Sequence, residues 1–441
     1  MFKNKDIWKV SYPILLSLFA QNIIGVTDTA FLGRVSEVAI GASAMGGLFY
    51  ICMYTIAFGF STGSQIIIAR RNGEGRHADV GPVMIQGLIF LLGLAFVVFG
   101  FTKLCGGSII SLLVKSDNVY NATVEFIDWR IYGVFFSFIN VMFRAFYIGI
   151  TRTKVMIVNA VVMALTNVVL DYILIFGKLG FPAMGIKGAA IASVLAEASS
   201  ILFFVIYTYA TVDFKKYGFV HLRHSFNSKL LKQILNISSF TMLQNFLSMG
   251  TWFVFFVAVE RLGERDLAIA NIVRSIYIML LIPVQALATA ANTLVSNSIG
   301  GGRIKEVPEL VKRISLNSIS VMGVILAFTA LFPRTILSIY TNNEAIIETG
   351  VSSIYVVIIA MLVASVANVL FNAISGTGNT RSALALETIA LIIYVVYVFI
   401  IGIILQLPVE ICFTTEIVYY GLLLIVSYLY LKKGNWQNKK I

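Results

Sequence analysis

What most limits this chain is a series of apolar runs, each of roughly 20 residues, that recurs along its whole length with only short polar gaps between. A run of that length crosses the hydrocarbon of a bilayer as a helix, and the gaps are too short to build a separate soluble domain. With 59% hydrophobic residues, 12% charged residues and a mean hydropathy of +0.90, the chain has more apolar surface than a soluble core can hide. It reads as an all-α integral membrane protein. The net charge of +12 comes from Lys and Arg clustered in the gaps, where insertion topology and anionic lipid account for them. Membrane lipid is therefore the expected partner, and nucleic acid is not. Cys52, Cys105 and Cys412 are scattered with no CxxC pairing, so neither a zinc site nor a disulfide framework is supported. The opening "MFKNKDIWKVSYPILLSLFAQ" is basic and then apolar, lacks a small-residue cleavage site and continues past Asp28. This marks a first span rather than a removed signal.

Twelve spans are expected, at 9–33, 43–69, 83–104, 131–150, 155–176, 186–210, 232–258, 267–298, 314–332, 352–374, 383–406 and 410–431. Threading them from an inner N-terminus places 22 Lys and Arg on inner segments and nine, Arg130 among them, on outer ones. Both termini are thus expected in the cytoplasm, and the protein in the plasma (inner) membrane. The longest inner gap divides the spans six and six, giving an N-lobe at 1–212, a cytoplasmic linker at 213–231 and a C-lobe at 232–441. Sliding the second half by 227 residues pairs Gly75 with Gly302, Arg76 with Arg303, Ser111 with Ser338, Gly149 with Gly376 and Thr153 with Thr380. Six crossings return the chain to its starting side, so the copies are parallel and pseudo-symmetric, as in transporters built from repeats.

A charge at the bilayer centre costs at least about 2.5 kcal/mol, so each embedded ionisable group needs a reason. Asp28 precedes Arg34 by six residues, about 9 Å of helix, and Asp171 precedes Lys178 by seven, about 10 Å. Ser193 follows Lys187 by six, again about 9 Å. The three share a depth, and Asn167 lies one turn from Asp171 on the same face. Two carboxyls, an amide and a hydroxyl could hold a proton or a sodium ion, and two close carboxylates in low dielectric cannot both stay ionised cheaply. Arg144 and Arg274 lie within spans, partly relieved by snorkelling, and Glu197 could join the cluster from one turn beyond Ser193. Glu387 and Glu416 lie near span ends and are expected to be solvated. Pro13 and Pro283 are candidate kinks or hinges.

Enzyme signatures fail. "GFSTG" (59–63) matches GxSxG but lies in an apolar span, where small residues serve helix packing. His77, His221 and His224 all fall in gaps, which leaves no metal centre or Ser/His chemistry, and no GxxxxGK[ST] appears. No cofactor is expected, and the energy for work must come from an ion gradient.

"QNIIGVTDTAFLGR" (21–34), "NVVLDYILIFG" (167–177) and "GAAIAS" (188–193), with the six-plus-six layout, resemble the multidrug and toxic compound extrusion (MATE) family over essentially the full chain. The resemblance implies a V-shaped pair of six-helix lobes that exports small organic compounds against H⁺ or Na⁺, and a functional monomer is expected. It places family function on Asp28, Asn167 and Asp171, with Gln21 and Ser193 lining the same lobe and Pro13 at the family's bending first helix. Relatives with a sodium site in the second lobe use acids in the seventh and tenth spans. Here "VASVANVLFNAISG" in the tenth has none, and Glu260 falls at a helix end, so coupling is expected in the first lobe alone. Arg144 and Arg274 make the cavity less acidic and admit an alternative within the superfamily, a lipid-linked saccharide flippase whose arginines would meet a pyrophosphate.

Overall fold

The computed structural model describes residues 3–114, 116–219 and 226–437; Lys115, His221, Arg223, His224, Lys439 and Lys440 lie outside them, as does part of the expected linker. With no water in hydrocarbon to receive a backbone amide, each apolar run closes its hydrogen bonds on itself, and the described residues form helices with no strand. These are α1 (Asn4–Gly33), α2 (Glu37–Gly73), α3 (Val80–Leu113), α4 (Asp117–Arg130), α5 (Gly133–Gly149), α6 (Val155–Phe176), α7 (Gly185–Thr211) and α8 (Ser228–Glu260). They continue as α9 (Glu264–Gly300), α10 (Val307–Leu331), the short α11 (Pro333–Ser338), α12 (Glu344–Gly376), α13 (Thr380–Val398), the short α14 (Val409–Cys412) and α15 (Thr414–Lys433). Among the described residues 11 helices are long and apolar enough to cross a membrane, and α4 with α5, bent by 54° at their junction, make a twelfth.

The duplication is visible in the helix ends. α2 and α9 begin at 37 and 264 and end at 73 and 300; short 3₁₀ turns follow from 77 and from 304; α3 and α10 start at 80 and 307. Each pair differs by 227. Gly75 and Gly302 stand at the same point of the two copies with φ of 73° and 72°, a left-handed conformation that glycine adopts without steric cost. One pair departs from the symmetry. The bent α4 and α5 run from 117 to 149, whereas their counterpart α12 runs from 344 to 376 without a break.

Contacts divide the chain into two compact units: Leu16–Met242, and Met1–Leu15 with Leu243–Ile441. The first has a core around Leu32, Ala42, Ile110, Phe126 and Ile127, the second one around Ile269, Tyr277, Val357, Phe371 and Tyr394. Other apolar side chains point outward, Leu104 being 84% exposed and Val324 74%, as a lipid solvent permits and water does not. Within the first unit, "GFSTG" sits inside α2 against α8. A Cβ at Gly59 would fall on the Met242 backbone and one at Gly63 on Ser238, while Thr241 Oγ1 donates to Gly59 O at 2.6 Å. The start of the gap after α7 is docked too, Gly81 N donating to Tyr217 O at 2.8 Å.

Gly63→Val is therefore expected to cost about 1–3 kcal/mol through overpacking and to lower the melting midpoint of the purified protein in detergent. Ser61→Ala, whose hydroxyl bonds Phe58 O in its own helix, serves as the neutral control.

Candidate functional site

Three of the polar groups singled out by depth meet in the first unit. α1 carries Asp28; α6 carries Asn167 and Asp171, four residues apart and on one face, both with 0% exposure. Carboxyl oxygens accept, so the Asn167 amide presents its nitrogen to them, donating to Asp28 Oδ1 at 2.9 Å and to Asp171 Oδ2 at 3.3 Å. The Asp28 and Asp171 side chains also hydrogen-bond to one another. That bond requires a proton on one of the two, because a carboxylate has none to give. Asp171 Oδ1 is buried without a partner among the described residues.

The local sequence holds α6 in place. Gly177, at φ 66°, caps the helix in the left-handed conformation, its N–H returning to Ile173 O. Met184 N then donates to Leu174 O at 2.8 Å, and α7 starts so close that a Cβ on Gly188 would meet the Leu174 carbonyl. The carboxyl of Asp171 is thus presented from a helix clamped at its end.

Beside the acids lies a second polar pair. Arg130, the last residue of α4, forms a two-pronged bond to Glu197 of α7, Nη1 to Oε2 at 3.0 Å and Nη2 to Oε1 at 2.6 Å. Its guanidinium lies 3.6 Å from the centre of the Tyr50 ring, and the Tyr50 hydroxyl sits 2.9 Å from Ser137 Oγ and 3.2 Å from Glu197 Oε2. The Arg130 charge also reaches Asp28. The sequence placed Arg130 on an outer segment, because α4 ("DNVYNATVEFIDWR") is too polar to pass as part of a span. Its side chain is 13% exposed and lies at the break between α4 and α5. Gly133, just past the break, leaves room for the pair: a Cβ there would fall on Arg130 Nη1 and Glu197 Oε2, and both side-chain ends would have to shift.

The remaining candidates separate. Glu197 belongs to Arg130, and no hydrogen bond among the described residues joins it to Asp28 or Asp171. Ser193 on α7 and Gln21 on α1 are half-buried and make no described side-chain bond to the acids. Arg144 lies 5.6 Å from the Phe58 ring and bonds Tyr54. Arg274 lies 4.6 Å from the Phe256 ring and shares a small cavity with Trp252, Tyr277 and Glu416. Pro13 is buried inside α1, which continues through it. The expectation that Glu387 and Glu416 are solvated fails: they are 4% and 5% exposed. Glu387 lies two turns into α13 under Ser248 and Tyr419, and Glu416 in the first turn of α15 is covered by Tyr277 and Tyr394. The second unit therefore does contain embedded acids.

Two pseudo-symmetric six-helix lobes, one burying a pair of carboxyls that share an amide donor, define a duplicated helical membrane transporter. The MatE family model matches residues 13–173 and 241–408, once in each half, and the chain belongs to that family. It is similar to the protein of Thermotoga maritima described as "Probable multidrug resistance protein NorM", 23% identical over 88% of this chain and 83% of that one. Its fold matches the outward-facing conformation of a multidrug resistance MATE family transporter of the MOP superfamily, with a TM-score of 0.90 at 18% identity over 99% of this chain and 97% of that one. The MOP superfamily transporter of Pyrococcus furiosus described by the reverse polarity of its binding pocket matches equally well, at 0.90, 18%, 99% and 97%. This is a multi-pass MATE family efflux transporter, of a family whose members are not enzymes. The flippase alternative gains nothing from these relatives.

Arg130→Ala is expected to destabilise the protein by about 3–5 kcal/mol, because it leaves Glu197 buried and unpaired. Replacing Arg130 and Glu197 together by Met should recover most of that loss, a difference that melting of the purified variants measures.

Proposed function

We propose that the protein exports small organic compounds in exchange for protons, and that Asp28 and Asp171, bridged by Asn167, bind the coupling proton. The observation that carries this reading is the bonding of the site. Two carboxyls bonded to each other need one proton, and the bond between Asp28 and Asp171 is made by that proton. With that proton in place the pair carries a single negative charge, held in a shared hydrogen bond, and α1 stays drawn to α6. Without it, two carboxylates repel in a medium of low dielectric, and the two helices part unless water or a cation enters. Pro13, which removes a backbone bond within α1, is where that helix would yield. Similarity to proteins described as multidrug resistance transporters supports organic compounds as cargo. No cofactor is needed, since a charge moved through 100 mV supplies about 2.3 kcal/mol. The protein is read as a functional monomer in the plasma (inner) membrane, in contact with lipid and with both termini in the cytoplasm, from its Lys and Arg asymmetry.

Purified protein in liposomes, with ethidium as probe cargo, tests this. An imposed pH gradient should drive ethidium movement, and a sodium gradient at constant pH should not. Asp28→Asn and Asp171→Asn should each insert and melt like the parent yet fall to the rate of protein-free vesicles. Undiminished movement in both variants rejects the site, and movement driven by sodium alone rejects the proton.

A further inference from the structure

The two embedded acids of the second unit are bonded differently, and the difference is informative. Glu416 is fully satisfied: Tyr277 OH donates to Oε2 at 2.9 Å and Tyr394 OH to Oε1 at 3.2 Å. Tyr420 OH lies 2.7 Å from Tyr277 OH and completes the chain, itself bonded to Asn368 of α12. Glu416 has a donor for each oxygen and fits its surroundings as a carboxylate. Glu387 does not. Its Oε1 accepts from Ser248 Oγ of α8 at 2.7 Å and from Tyr419 OH of α15 at 3.0 Å, while Oε2 is buried with no donor among the described residues. The residue is 4% exposed. A carboxylate there would leave one charged oxygen bare in low dielectric, whereas a carboxylic acid, with its proton on Oε2, leaves only a neutral hydroxyl unmade.

We propose that Glu387 is a proton-binding site of the second unit, separate from the Asp28 and Asp171 pair, charged only when α8, α13 and α15 repack to give Oε2 a donor. The groups facing it are Ser248 and Tyr419, with the ring of Tyr394 edge-on to Tyr419 at 5.9 Å and that of Tyr420 at 4.9 Å. No cation is among the groups acting on it; Arg274 lies instead beside Glu416. A proton, unlike a metal ion, needs no further ligands here, and among the described residues no cluster of three or more His, Cys, Asp or Glu stands ready to hold a metal. The site adds a second proton to the cycle and does not depend on the first.

Infrared difference spectroscopy of the purified full-length protein in lipid, titrated from about pH 5 to about pH 10, reads protonated carboxyls directly through their carbonyl band. The parent should lose at least two such components as pH rises. Glu387→Gln should remove one of them and lower the protons released per molecule by about one, while Asp171→Asn leaves that component in place. Tyr419→Phe, which keeps the ring but removes a donor to the charged form, should move the midpoint of the Glu387 component to higher pH by about half a unit or more. The proposal falls if Glu387→Gln leaves the spectrum unchanged, or if the component it removes shows no titration and no response to Tyr419→Phe. Either result leaves the assignment of Asp28 and Asp171 standing, since their component is followed through Asp171→Asn in the same measurement.

Discussion

Hydrocarbon offers no hydrogen bonds, and every polar group carried into it must find its partner on another helix. The structure answers that demand in three ways. Arg130 and Glu197 cancel charge against charge, with Tyr50 and Ser137 absorbing what is left. Glu416 is solvated by tyrosine hydroxyls that stand in for water. Asp28 and Asp171 have neither a paired cation of their own nor a shell of hydroxyls; they have an amide and each other. Of these three, the last arrangement changes with the gain or loss of one small ion, and so it is suited to couple a gradient to the packing of α1 against α6.

The same constraint explains what could be read from the sequence. Twelve spans were legible because their length is set by bilayer thickness, and the repeat because its offset of 227 survives in helix ends such as 37 and 264. The shared height of Asp28 and Asp171 was legible from depth counted from Arg34 and Lys178 at about 1.5 Å per residue, and the spacing of four put Asn167 and Asp171 on one face; that Asp28 belongs with them came from the family resemblance.

Other parts were hidden for definite reasons. Arg130 looked like a loop residue because α4 carries Asp117, Asn118, Asn121, Glu125 and Asp128, and an average over such a segment cuts the span short at 131. Glu387 and Glu416 were misplaced because their partners come from helices distant in the chain, and because tyrosine, which supplies most of them, counts toward the apolar total while carrying the hydroxyl that does the solvating. Ser193 shared a depth with the acids but not a bond, since equal depth fixes height and leaves direction around the helix open.

The interrupted helix and its intact twin stand at the same place in the two repeats. Residues 117–149 and 344–376 match at the offset of 227, yet only the former is interrupted, at Ile131 and Tyr132. The position of Arg130 is taken in the second copy by Val357 and that of Gly133 by Ala360, residues that neither need nor make a gap. One copy thus houses a cation at its elbow, while its twin runs straight past the same point and houses none.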